Sequence, residues 1–280
     1  MAPPKFADLG KSANDVFSKN YNFGFLKFDA KTKASSGLEF KSTASHNTAI
    51  QRLFGSLEMT YALKEHGIKL VEKWNTDSTL GTDITVEDRG AKGLKLIFEN
   101  SLAMNLGKHT GRVKAEYAMD QVFTDVVFDV NTKTAVFSSV FGYENWLAGA
   151  QVQTDLAQKK LQKYSTALGY KTPTYAMHTY TMDAVDFGGS FYHKVDQNLE
   201  LGATMGWNRN DQSTRFGLGC VYQADKDTQL RAKISSTSQL GLAMVHSFKP
   251  GLKLILSTLV NLQQFNEGGH KFGFGIEYEQ

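Results

Sequence analysis

From about residue 25 onward, apolar and polar side chains alternate with a period of two. Ile68, Leu70, Glu72 and Trp74 interleave with Lys69, Val71, Lys73 and Asn75, and Leu94, Leu96 and Phe98 with Lys95, Ile97 and Glu99. The same spacing runs through Leu57, Met59, Tyr61 and Leu63, and through the stretches 199–207, 216–222, 230–234, 252–256 and 272–278. Successive side chains of a strand point to opposite faces, so the pattern predicts strands with one apolar and one polar face. Clusters of turn-forming residues punctuate it, among them Glu65-His66-Gly67, Asp88-Arg89-Gly90, Asn131-Thr132-Lys133, Asp186-Phe187-Gly188-Gly189 and Lys249-Pro250-Gly251. Ahead of the strands, Phe6, Leu9, Ala13, Val16 and Phe17 recur at three- and four-residue steps between Lys5 and Lys19. That period predicts a short amphipathic helix ending near Asn20.

The apolar faces need somewhere to go. Strands of a soluble sandwich would bury them in a core and would run about 5–6 residues. The alternating stretches here are longer, close to the roughly 9–11 residues with which a tilted strand crosses a bilayer. Trp74, Trp207, Tyr222 and Tyr278 stand near strand ends on the apolar face, as an interfacial girdle requires. The opposite face carries Lys69, Lys73, Lys95, Glu99, Lys114, Glu116, Arg231, Lys233, Lys253 and Lys271, charges that belong in water. A closed barrel with lipid outside and water inside satisfies both faces and leaves no unpaired edge. At roughly 13 residues per strand and turn, the chain beyond the helix allows about 18 to 20 strands. The longest unbroken apolar run is four residues, Leu242–Val245, so no segment reads as a membrane-spanning helix. No linker or shift in composition divides the strands, which gives an N-terminal segment (1–24) followed by one β domain (25–280). A soluble or peripheral β-barrel enclosing a ligand is the alternative reading.

Composition adds restrictions. The 280 residues hold 25 glycines and 4 prolines, the balance expected of many strands joined by tight turns whose ladders cannot lose an N–H. Net charge is +3, with 31 basic and 28 acidic residues and no basic block, which argues against a nucleic-acid partner. The single cysteine, Cys220, excludes an internal disulfide framework. The opening Met1-Ala2-Pro3-Pro4-Lys5 lacks the apolar region of a secretory signal. There is no nucleophile elbow, Walker loop or dinucleotide loop, and the seven histidines are scattered without ligand spacing, so neither an enzyme nor a metal or other cofactor is expected.

Glu72 departs from the pattern. By parity it shares the face of Ile68, Leu70 and Trp74 and points at lipid, where a charge near the midplane costs on the order of 2 kcal/mol. A regulatory or docking role is one reading of such a residue, and an acid tolerated by local thinning of the bilayer is the other.

The whole chain resembles the eukaryotic mitochondrial porins, the voltage-dependent anion channels. The resemblance is carried by Phe6-Ala7-Asp8-Leu9-Gly10-Lys11-Ser12, by Glu72-Lys73-Trp74-Asn75-Thr76-Asp77, by 80–88 and by Gly268-Gly269-His270-Lys271. The family's signature stretch is recognisable from Tyr222 and Asp225 through 232–236 to Gly241-Leu242, with Lys226 a departure. The resemblance implies a 19-stranded transmembrane β-barrel, a strand number recorded for this family, with its N-terminal helix inside the pore. It further implies a voltage-gated, weakly anion-selective channel of the mitochondrial outer membrane for ATP, ADP, phosphate and small metabolites. The last strand, with Lys271, Gly273, Ile276 and Tyr278, matches the family's barrel-assembly signal.

The resemblance also names site residues. Lys11 and Lys19 match positions that contact nucleotide phosphates, while Asn14 stands where an arginine is usual. Gly24 is the remaining glycine of a hinge in which Asn20 and Asn22 replace two others. Gly93-Leu94-Lys95 matches a proposed nucleotide-binding tripeptide, although a glycine opening a strand explains it more simply. Lys95, Lys114 and Lys233, with the other water-face lysines, would make a lumen field that draws anions. Asp29, Glu39, Glu58, Glu99, Glu116 and Glu200 oppose it, and Gln263 replaces a frequent lysine, so selectivity should be modest. Glu72 matches the membrane-facing acid linked to hexokinase binding and calcium response. Membrane lipids, permeant nucleotides, hexokinase and self-association are the partners so implied. The substitutions at 14, 20, 22, 226 and 263 leave open a specialised paralogue with altered selectivity and gating.

Overall fold

A computed structural model describes residues 2–35, 37–266 and 268–280. A 3-10 turn (Phe6–Asp8) and α1 (Lys11–Ser18) precede β1 (Phe25–Lys33), β2 (Glu39–Asn47) and β3 (Arg52–Leu63). Then come β4 (Ile68–Asn75), β5 (Thr79–Glu87), β6 (Leu94–Ala103), β7 (Lys108–Ala118), β8 (Val122–Asp129) and β9 (Thr134–Tyr143). β10 (Trp146–Asp155), β11 (Lys160–Lys171), β12 (Tyr175–Met182), β13 (Asp186–Lys194) and β14 (Leu199–Asn208) follow. The last are β15 (Ser213–Gln223), β16 (Thr228–Ser235), β17 (Gln239–Lys249), β18 (Leu252–Asn261) and β19 (Lys271–Glu279).

Each strand pairs with its neighbour in the chain, and β1 also pairs with β19, so the hydrogen-bonded order of 19 strands closes on itself. The pairs from β3 through β10 and from β12 through β19 are antiparallel. With an odd number of alternating strands the first and last run the same way, which makes the closing pair parallel and the barrel mixed. Among the described residues no helix is long and apolar enough to cross a membrane. The strands, 8 to 12 residues long, have the reach to do so.

The faces sort as the alternation predicts. Phe98, Phe137, Met205, Leu218 and Phe272 are exposed, the last by 75%. Trp74, Trp207, Tyr222 and Tyr278 are each the penultimate residue of a strand and are 38–47% exposed, at the height of a girdle. The buried apolar side chains, such as Val16 at 1% and Val140 at 0%, belong to the N-terminal segment or to the polar face it covers.

By contact the chain divides into two compact units. One takes in the chain up to Leu9, Lys31–Ser42 and Phe54–Leu168; the other holds Gly10–Ala30, Thr43–Leu53 and Gly169–Gln280. In the first, the 3-10 turn packs on β9 and β10. A Cβ at Gly149 would come within 2.8 Å of the Phe6 ring, so only glycine lets the turn lie so close. Lys5 pairs with the largely buried carboxylate of Glu116 on β7 and lies 5.9 Å from the Phe123 ring centre.

In the second unit α1 packs on β13–β16. Its buried residues are Ala13 and Val16, two members of the predicted stripe. The predicted helix over 5–19 is interrupted at Leu9–Gly10, where Gly10 takes φ +75° and a Cβ would lie 2.6 Å from the His178 ring. It ends at Ser18, with Asn20 at φ +66°. The helical period persists across this break because both pieces rest on the same kind of surface. A second correction concerns Asp186-Phe187-Gly188-Gly189, whose glycines read as a turn but which open β13. Gly188 is required by the Tyr180 ring lying over it, and the turn falls just before, with Asp183 and Ala184 at positive φ.

Glycine also serves a purpose that turns do not explain. Gly202 and Gly219 face each other across β14 and β15, and Gly217 faces Thr204. A Cβ at Gly219 would stand 2.9 Å from Val16, and one at Gly202 3.1 Å from it. A Cβ at Gly273 would overlap the Asn22 carbonyl, and one at Gly241 would sit 2.8 Å from Phe23. These glycines carve a bed in the polar face for the N-terminal segment. Gly219→Val should therefore unseat α1 while leaving the strands paired. Hydrogen exchange is expected to rise in residues 11–24 by tenfold or more and to stay unchanged in β4–β9.

Candidate functional site

The polar face carries a set of ion pairs, most of them between neighbouring strands. On the first unit Lys33 pairs with Glu39 at 3.1 Å, Lys73 with Asp83 at 2.8 Å, Lys95 with Glu87 at 2.8 Å and Arg112 with Asp129 at 3.0 Å. Lys114 pairs with Glu99. The register makes this possible: β6 and β7 set Lys95 opposite Glu116 and Glu99 opposite Arg112 on one face. On the second unit Lys27 meets Asp29 at 2.7 Å. These side chains are partly solvated, so each pair contributes little to stability. Their effect is on the field, because each of these cations has an anion beside it.

On the second unit the end of α1 bounds a polar cavity of about 460 Å³. Lys19, Lys226, Arg231 and Lys253 line it together with Asp15, Glu200, Asp227 and Glu277. Lys233 points instead at the helix: its ammonium donates to the Phe17 carbonyl at 2.5 Å and lies 4.1 Å from the Tyr21 ring centre and 5.1 Å from that of Phe23. Burial pushes the Tyr21 phenol up to about 12, against the pull of the neighbouring Arg231 charge, so it is neutral at physiological pH.

Gly24 takes φ +76°, which glycine adopts without strain. Its N–H donates to the Phe272 carbonyl at 2.9 Å, and its carbonyl accepts from the Thr48 N–H and hydroxyl, both at 3.0 Å. Two residues earlier the Asn22 N–H donates to the Ser257 hydroxyl at 3.0 Å. The segment between helix and barrel is thus hydrogen-bonded to β18 and β19.

Of the sequence-predicted cations, Lys95 and Lys114 come to neighbouring strands of one unit, each on a carboxylate. Lys11 opens α1 and Lys19 closes it, both exposed. Lys233 stands by the same helix end, in the same unit. Gln263 lies in the β18–β19 connection, its N–H donating to the Asn261 side chain at 3.1 Å. Glu72 faces outward, opposite Met59 and Thr82, and Thr82 is opposite Asn100. A polar row thus crosses β4–β6, with Leu70, Ile84 and Phe98 on one side of it and Trp74, Leu80 and Leu102 on the other.

Residues 2–273 match the family model described as eukaryotic porin. The chain belongs to the eukaryotic porin family. The non-selective voltage-gated ion channel VDAC1 of Sus scrofa is 45% identical over 279 residues, covering 99% of both chains. The VDAC2 channel of Meleagris gallopavo is 44% identical over 279 residues, covering 99% of this chain and 94% of its own. VDAC2 of Xenopus laevis is 45% identical over the same length. The porin is a channel and not an enzyme, and its chemistry is that of a lined passage: fixed charges, hydrogen bonds and the seat of α1.

Sequence reasoning placed the charges of this porin on the right face but missed the bed on which the N-terminal segment lies. The signal was present as glycines two apart, Gly217 with Gly219 and Gly273 with Gly275, in the phase of the polar residues. The polar row beside Glu72 was missed because Thr82 and Asn100 join it only through strand register. An acid in hydrocarbon is costly, so Glu72→Gln should stabilise the barrel in lipid, by up to about 2 kcal/mol. Denaturant unfolding from vesicles would register this as a higher midpoint.

Proposed function

We propose that this porin is a weakly anion-selective, voltage-gated channel of the mitochondrial outer membrane, through which ATP, ADP, phosphate and small metabolite anions diffuse down their gradients. The observation that carries the reading is the near-balance of the polar face. Lys27, Lys33, Lys73, Lys95, Arg112 and Lys114 each have a carboxylate partner, and the cavity beside α1 has four basic and four acidic side chains. Paired charges leave a small net field, which biases passage without excluding either sign. In this reading Lys11, Lys19, Lys95, Lys114 and Lys233 are the phosphate contacts. Lys19, exposed and lining the cavity, serves first, since Lys233 is engaged with the helix. Gly24 is the hinge residue between helix and barrel.

The exposed apolar face supports embedding in lipid. Glu72, an acid on that face, is proposed as the regulatory contact through which hexokinase is recruited. Copies of this chain associate through the same lipid-facing surface.

Reconstitution in a planar bilayer tests the channel reading. Large steps that close in part with voltage, and a reversal potential on the anion side of a salt gradient, are expected. Lys19→Glu combined with Lys226→Glu should bring the anion-to-cation permeability ratio to unity or below. A barrel that passes no current, or a chain released from membranes by carbonate, sinks the reading. Glu72→Gln should abolish hexokinase co-sedimentation with porin vesicles.

A further inference from the structure

α1 is eight residues long and has no side-chain N-cap. A helix of that length is marginal in water and is held by what it packs against. Its apolar side rests on the glycine bed, but its last carbonyls need hydrogen-bond donors. The Lys19 N–H serves the Asp15 carbonyl. Two further donors come from β16. Arg231 Nη2 donates to the Asp15 carbonyl at 2.6 Å, and Lys233 Nζ donates to the Phe17 carbonyl at 2.5 Å. The two residues are two apart on one face of the strand and reach successive parts of the same helix end.

The cost of this arrangement points to its role. Arg231 is only 7% exposed, its Nη1 donates to Gln229 at 3.2 Å, and its Nε has no partner. Among the described residues neither Arg231 nor Lys233 makes an ion pair with a carboxylate. A buried cation without a counter-charge is unfavourable unless other dipoles replace the water it has lost. The negative end of the α1 dipole, with the Tyr21 ring 5.9 Å from the Arg231 guanidinium and 4.1 Å from Lys233, supplies them. Helix and cations are mutually dependent: without α1 the cations lose their compensation, and without them the helix end loses two of its donors.

We propose that Arg231 is the positioning residue that latches the C-terminal end of α1 to the barrel wall, with Lys233 as second pin, and so sets how readily the helix leaves its seat. Arg231 also lines the cavity beside α1, and its Nη2 is engaged with the helix while the helix is docked. The latch deepens the gating part of the functional reading and rests on it only for the electrical measurement.

Hydrogen exchange on the full chain in lipid nanodiscs tests the latch without current. Arg231→Gln should lower amide protection in Asn14–Lys19 at least tenfold with β15–β17 unchanged, and Arg231→Lys should restore most of it. Asp15→Asn should leave protection as it is, because the bond is to the main-chain carbonyl. In bilayers Arg231→Gln should lower the voltage at which the channel closes. Unchanged α1 protection in Arg231→Gln, a loss spread equally into β15–β17, or an Asp15→Asn effect equal to that of Arg231→Gln would each overturn the proposal. A porin that conducts without voltage closure, yet shows the exchange pattern, would count against the gating reading and leave the latch standing.

Discussion

Main-chain hydrogen bonding governs this molecule. Hydrocarbon offers an amide no partner, so a strand that crosses it must find both neighbours within the protein. An open sheet always has two unsatisfied edges, and the β1–β19 pair removes them. The odd strand number then forces one parallel contact among antiparallel ones. The rest follows from closure: one face meets lipid and becomes apolar, the other meets water and becomes charged, and no residue is needed to fill a core in the ordinary sense.

What fills part of the interior instead is the chain's own N-terminal segment. Helix and sheet do not normally approach within backbone distance, because Cβ atoms keep them apart. Glycines at 149, 202, 217, 219, 241 and 273 remove those atoms where the segment lies. Glycine in a strand weakens it by conformational entropy and missing side-chain contacts. The closed ladder tolerates this loss because neighbouring strands hold each glycine by both main-chain groups. The abundance of glycine and scarcity of proline therefore have two causes, turns and bed, of which only the first is visible from turn motifs.

Electrostatics divides along the same line. Lys33, Lys73, Lys95, Arg112 and Lys114 on the polar face are matched by carboxylates on adjacent strands, which keeps the field shallow there. Arg231 and Lys233 stand apart, since their negative partner is a helix terminus. A helix end serves here because its C-terminal carbonyls are dipoles that can replace lost hydration.

The alternation of apolar and polar residues determined, by itself, that the chain forms long strands with opposed faces, since the side-chain period of a strand is two whatever its partners are. It also marked Glu72 as lying on the wrong face and, through the three- and four-residue steps before Lys19, announced a helix. Only the tertiary structure decided that the helix breaks at Gly10, that Gly188 and Gly189 belong to a strand, and that Lys233 attends a carbonyl. Only register placed Thr82 and Asn100 beside Glu72. The reason is geometric: period and parity are local properties of one strand. Which side chains meet across strands, and how closely another segment can approach them, depends on residues tens to hundreds of positions away.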